Sequence, residues 1–166
     1  MKRRLILIAL AAFLGPACAS DVTNAVHAWM GKWPNEPFNR QPFRESEPGP
    51  ASKDHRNFWQ FPGTRAGLEE AVGKKRAAVL IGVWRTGDNL KMAGPRWATY
   101  STCMPHNCGG TEAHVFIDTL SGRFNVCWTE NSSSLWLSPG GGSLLLGNGC
   151  YGHDSDDAKL ISHYAR

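Results

Sequence analysis

Residues 103–108 read Cys-Met-Pro-His-Asn-Cys and run directly into Gly109-Gly110. Cysteine and histidine are the side chains that bind zinc, exchange disulfides and carry protons, and three of them fall within six positions. Four chemistries compete. A structural zinc site takes four ligands; Cys103, His106 and Cys108 offer C-x2-H-x-C without a second C-x2-C or H-x3-H half. A thioredoxin-like redox pair keeps two residues between its cysteines, whereas four intervene here, between two strand-like segments. A disulfide that merely staples a hairpin is the third reading, although so small a ring removes little denatured-state entropy. The fourth is presentation. A ring with Pro105 beside His106 has few conformations left and holds one imidazole outward, which lowers the ordering cost of binding. A protonated imidazole carries two donors. That suits a cleft flanked by two carboxylates, as in retaining glycosidases, where the pair stands ~5–5.5 Å apart.

The redox state of the cysteines depends on compartment. Lys2, Arg3 and Arg4 precede the apolar run Leu5–Leu14, and Ala17-Cys18-Ala19 follows Gly-Pro. A positive n-region, an apolar stretch short of the ~20 residues of a membrane span and an A-x-A site read as a signal peptide (1–19) cleaved after Ala19. A membrane anchor or a lipoprotein site at Cys18 fits these residues less well. The formal charge of +4 then loses three basic residues, leaving 15 Lys and Arg against 14 Asp and Glu. A net +1 gives no reason to expect nucleic acid or an anionic membrane as partner. Four cysteines remain, Cys103, Cys108, Cys127 and Cys150. An even number in an oxidising compartment suggests two disulfides. Of the three pairings, Cys103–Cys108 with Cys127–Cys150 is favoured, because the first two flank a tight turn.

Residues 20–166 suit one domain. DVTNAVHAWMG (21–31) places Val22, Val26 and Trp29/Met30 at helical spacing. Residues 32–63 hold six prolines, too many for a long helix, yet enough aromatics to pack on the body. TRAGLEEAVGKKR (64–76) predicts a second helix, with Thr64 as N-cap candidate and Lys74, Lys75 and Arg76 in its last turn. AAVLIGVW (77–84) reads as a buried strand and TGDN (86–89) as a turn. RWATYSTC (96–103), EAHVFID (112–118), GRFNVCW (122–128), SLWL (134–137) and SLLLG (143–147) follow with short links. The expected fold is α+β: an antiparallel meander of five to six strands flanked by short helices, with a protruding disulfide-closed loop. The tail DSDDAKLISHYAR reads as a short helix or coil with Ile161 and Tyr164 on one face.

With its setting between strand-like WATYST and a glycine-led descent into the next strand, CMPHNC resembles the C-K-P-H-D-C signature of the Ivy family. These are periplasmic inhibitors of vertebrate (c-type) lysozyme from Gram-negative bacteria. Length, signal peptide and helix-then-sheet order agree, and the likeness extends over about Ala77–Trp128; it does not place the proline-rich segment 32–63. The resemblance implies that the ring protrudes from the sheet into the lysozyme cleft. His106 would hydrogen-bond the two catalytic carboxylates, Pro105 would shape the tip, and the Cys103–Cys108 disulfide would hold the ring. Met104 stands where the family has lysine and Asn107 where it has aspartate. With a net charge near +1, long-range steering toward a basic lysozyme is weak.

No catalytic set, metal site or cofactor motif emerges. His114 lies in a strand as a packed or half-exposed residue. Ser132-Ser133-Ser134 reads as a solvated loop. Asp154, Asp156 and Asp157 read as helix N-terminal acids, without the twelve-residue calcium pattern. Two rivals remain for function: control of the cell's own lytic transglycosylases, and a non-catalytic peptidoglycan-binding module using some of the seven tryptophans. Most of those tryptophans fit a core better. The expected partner is c-type lysozyme, with lytic transglycosylases as the alternative, no nucleic acid, and no membrane after signal cleavage. The resemblance also allows a homodimer, although no dimer face is marked in the sequence.

Overall fold

The structure, a computed structural model, describes residues 16–35, 58–84, 86–146, 150, 161, 162 and 164. Most of the proline-rich segment, most of the tail with its three aspartates, and the start of the signal-like stretch lie outside the described residues.

Helix α1 (Pro16–Trp29) buries Val22, Ala25 and Val26. It starts five residues before the expected 21 and runs through Ala19. A 3-10 turn (Phe58–Gln60) leads into α2 (Thr64–Gly82). Thr64 does not cap α2. Gly63 occupies the cap position with φ 81°, and the Thr64 hydroxyl turns back to donate to the Phe58 and Phe61 carbonyls, both at 2.9 Å.

The run AAVLIGVW is not a strand: α2 continues through it to Gly82. The buried stripe explains why. Leu68, Ala71 and Val72 are followed by Ala77, Leu80 and Trp84, both sets at helical spacing. The five-residue step from Val72 to Ala77 would rotate the stripe away from the sheet in a continuous helix. Gly73, at φ 79° and ψ 153°, kinks the backbone and absorbs the extra residue. An apolar run of eight is compatible with either period; continuity with the preceding helix decides it. The end of α2 is closed by Asn35, whose amide donates to the Leu80 carbonyl at 2.6 Å and the Trp84 carbonyl at 3.2 Å. Its oxygen accepts from Trp59 Nε1 at 2.8 Å. The orphan carbonyls of a helix end are thus satisfied inside the protein.

Among the described residues seven strands form one antiparallel sheet, so the protein is α+β. β1 (Thr86–Gly87) and β2 (Lys91–Ala93) both pair with β3 (Trp97–Cys103). β1 replaces part of the turn expected at 86–89. β4 (Thr111–Asp118), β5 (Phe124–Glu130), β6 (Ser133–Ser138) and β7 (Gly142–Leu146) follow in meander order. One sheet face carries Ala98, Tyr100, Val115, Ile117, Phe124, Val126 and Leu137 against the helices. Trp84 stacks on Trp128 there at 4.5 Å. The other face carries Phe116, Cys127, Trp136 and Leu146, covered by Cys150 and Ile161, and Tyr164 stacks on Trp136 at 5.5 Å. Both faces are therefore covered, and β4 and β5 are buried along almost their whole length, polar residues included. Ser134 is fully buried rather than solvated; its hydroxyl meets that of Thr129 at 2.8 Å.

Candidate functional site

The β3–β4 hairpin positions the six residues 103–108. β3 ends at Cys103, β4 begins at Thr111, and the link between them extends beyond the sheet. Met104 N–H donates to the Thr111 carbonyl at 3.0 Å, the last rung of the ladder. Asn107 N–H then donates to the Met104 carbonyl at 3.0 Å. This closes a four-residue turn with Pro105 and His106 at its centre. Proline pre-sets the first central position, and the second must take positive φ in the type II form. His106 does so at φ 65°. A side chain with a Cβ in that conformation is strained by roughly 1 kcal/mol, and the position ordinarily selects glycine or asparagine. His106 is exposed, as are Met104, Asn107 and Cys108.

The ring is closed by the Cys103–Cys108 disulfide, with Cα atoms 5.1 Å apart. With the two sulfurs bonded to each other, neither is a thiolate ligand or a redox thiol in this structure. Behind the turn, Asn107 braces the return to β4. Its carbonyl accepts from Gly110 N–H at 3.2 Å and Thr111 N–H at 3.0 Å, and its amide donates to the Thr111 hydroxyl at 3.0 Å. Gly110 permits this brace, because a Cβ there would lie 2.6 Å from Asn107 Oδ1. An aspartate at 107 could accept from the same hydroxyl, so asparagine keeps the brace and removes the charge.

Below the loop lies a cleft lined by Thr86, Asp88, Ser101, Cys103, Cys108 and Glu112. Ser101 donates to Asp88 at 2.8 Å. Glu112, only 5% exposed, accepts from Gly109 N–H at 3.0 Å. Reasoning from the sequence missed Glu112, treating it only as the first residue of a strand. The signal was its register: in a hairpin closed by this loop it pairs directly with Cys103.

The second disulfide, Cys127–Cys150, ties β5 to the segment after β7 with Cα atoms 5.8 Å apart. It lies on the same sheet face as Cys103, away from the loop tip. His114, the other histidine in this hairpin, stacks on Phe116 at 6.4 Å within the sheet. The structure thus brings Cys103, Met104, Pro105, His106, Asn107 and Cys108 into one projecting turn and leaves Cys127 and Cys150 behind it.

Residues 63–144 match the family described as Inhibitor of vertebrate lysozyme (Ivy). Through that stretch the chain belongs to the Ivy family. The match covers α2 and the sheet almost to the end of β7, with the whole loop near its middle. No curated protein and no solved structure matches the chain significantly. Ivy membership means a family of lysozyme inhibitors rather than of enzymes. Among the described residues, no helix is long and apolar enough to cross a membrane.

Proposed function

We propose that this chain is exported to the periplasm, loses residues 1–19 by cleavage after Ala19, and inhibits c-type lysozyme as the single domain 20–166. The disulfide-closed loop enters the active-site cleft. His106 sits between the two catalytic carboxylates and donates to both, Pro105 shapes the tip, and no bond in any substrate is made or broken. Met104 and Asn107 flank the plug as neutral contacts.

The observation that carries this reading is the backbone of His106. An exposed, non-glycine residue held at φ 65° in a ring closed by a disulfide does nothing for packing. Local strain of this kind persists where the surroundings over-determine it, and it clusters at functional sites. The preset turn also supports a competitive plug, since little conformational freedom remains to be lost on binding.

A titration of a c-type lysozyme with the oxidised mature protein tests the proposal, with lysis of bacterial cell walls as readout. Inhibition should saturate near one molecule per lysozyme and be competitive with substrate. No inhibition at micromolar excess, together with inhibition of a bacterial lytic transglycosylase, would transfer the same loop to that target class. Sedimentation with peptidoglycan in the absence of lysozyme would instead favour the binding-module reading.

A further inference from the structure

We infer that Glu112 is a positioning residue for the inhibitory loop: its buried carboxylate fixes the direction in which His106 is presented. This rests on the reading of His106 as the plug. The loop leaves the sheet at Cys103 and returns at Thr111. The outgoing arm is set by the Met104–Asn107 turn and the disulfide. Asn107 ties the ring to Gly110 and Thr111 at the start of β4, and none of these bonds reaches the corner at Gly109. The returning arm passes through Gly109, at φ 96°, and its N–H points back to Glu112 Oε2 at 3.0 Å. A carboxylate accepting from a backbone N–H makes one of the stronger kinds of hydrogen bond.

Glu112 occupies a buried row of the sheet. Cys103, Glu112, Thr129 and Ser134 form a row across β3, β4, β5 and β6 on one sheet face. The Thr129 hydroxyl donates to Cys150 Sγ at 3.2 Å. In register Glu112 stands between Cys103 and Thr129, on a row in which Thr129 and Ser134 are also buried. A charge with so little exposure is costly unless bonded. The loop N–H is a donor that it meets, so carboxylate and loop constrain each other.

The test uses the full oxidised mature protein with Glu112→Ala, Glu112→Gln, His106→Ala and the double variant Glu112→Ala/His106→Ala. NMR order parameters and amide exchange at His106 and Gly109 read the loop without any lysozyme. Glu112→Ala should loosen both residues while the β4–β5 amides stay protected, and should weaken inhibition of lysozyme roughly tenfold. Glu112→Gln, whose amide oxygen can still accept from Gly109, should stay within about threefold of the parent. In the His106→Ala background, Glu112→Ala should change inhibition less than about twofold, because the residue acts through His106. An unchanged loop in Glu112→Ala, or the same tenfold loss with and without His106, would overturn the inference. A loop that loosens as expected in a protein whose parent does not inhibit lysozyme would uphold the positioning role and remove lysozyme as the target. If Glu112→Ala fails to fold, Glu112→Met, which keeps the volume and cannot accept from Gly109 as a carboxylate does, carries the comparison, and parent-like order at His106 and Gly109 there would overturn the inference.

Discussion

His106 combines two demands that a stable turn would separate. The second central position of the Met104–Asn107 turn asks for a residue tolerant of φ 65°, and the protein places an imidazole there. His106→Gly should therefore raise stability by up to about 1 kcal/mol while removing inhibition. Thermal unfolding and a lysis assay on the same preparation check both halves; a destabilised glycine variant would contradict the strain. A pair of ionised carboxylates favours the imidazolium over the neutral ring. Inhibition is accordingly expected to be tighter at pH 6 than at pH 8 while the target acids stay ionised, and equal inhibition constants would exclude an imidazolium contact. The six loop residues were legible in the sequence because a short ring with Pro and His inside it has few structural purposes. Glu112 was not, because nothing local distinguishes a buried glutamate that pairs across a hairpin from an exposed one at a strand start.

The β3–β4 hairpin is the element that carries the loop, and it is clamped at its other end. Asp118 accepts from Arg96 Nε at 2.7 Å and Leu120 N–H at 3.1 Å, and also from the Ser121 hydroxyl. Burial by itself pushes the Asp118 carboxyl up, but these donors together outweigh it and hold the group down at about 2, from an ordinary 3.8. A carboxyl depressed on folding contributes stability that is complete above the unfolded value and lost as pH falls through the folded one. The clamp should therefore weaken between pH 4 and pH 2. With Arg96 half exposed to solvent, the component is on the order of 1 kcal/mol. Urea unfolding across this range should show the acid loss in the parent and a shallower one in Asp118→Asn. Equal slopes would remove the clamp. Strands β3 to β7 were readable from short runs rich in β-branched and aromatic residues joined by turn residues. The extension of α2 through Gly82 was not, because Ala77–Trp84 is apolar at both periods. β1 and β2, with two and three residues, are too short to leave a pattern. The helical assignment predicts that Leu80→Ala costs about 2–5 kcal/mol and Val83→Ala under about 0.5, since Leu80 is fully buried and Val83 is 56% exposed. Similar losses at both positions would not fit α2 as described.

At the scale of the whole molecule, stability and function are divided between two disulfides. Cys127–Cys150 spans 23 residues of sequence and Cys103–Cys108 spans five. By loop-closure entropy the longer link stabilises by about 3 kcal/mol and the shorter by about 2. Replacing Cys127 and Cys150 together by alanine should thus lower the unfolding midpoint more, yet leave inhibition near the parent level in the folded protein. Replacing Cys103 and Cys108 should do the reverse. Denaturant unfolding and inhibition assays on both pairs decide it; parallel losses in both would mean that the ring serves the fold. The two-sided sheet, with helices on one face and Cys150, Ile161 and Tyr164 on the other, gives the loop a rigid base. The central claim is that His106 is the plug, and the most direct measurement is the inhibition constant of His106→Ala against c-type lysozyme beside the parent. Losing one partner of a buried charge-assisted contact costs ~2–5 kcal/mol, so inhibition should weaken roughly 30-fold or more with the fold intact. A loss under about threefold would contradict the account.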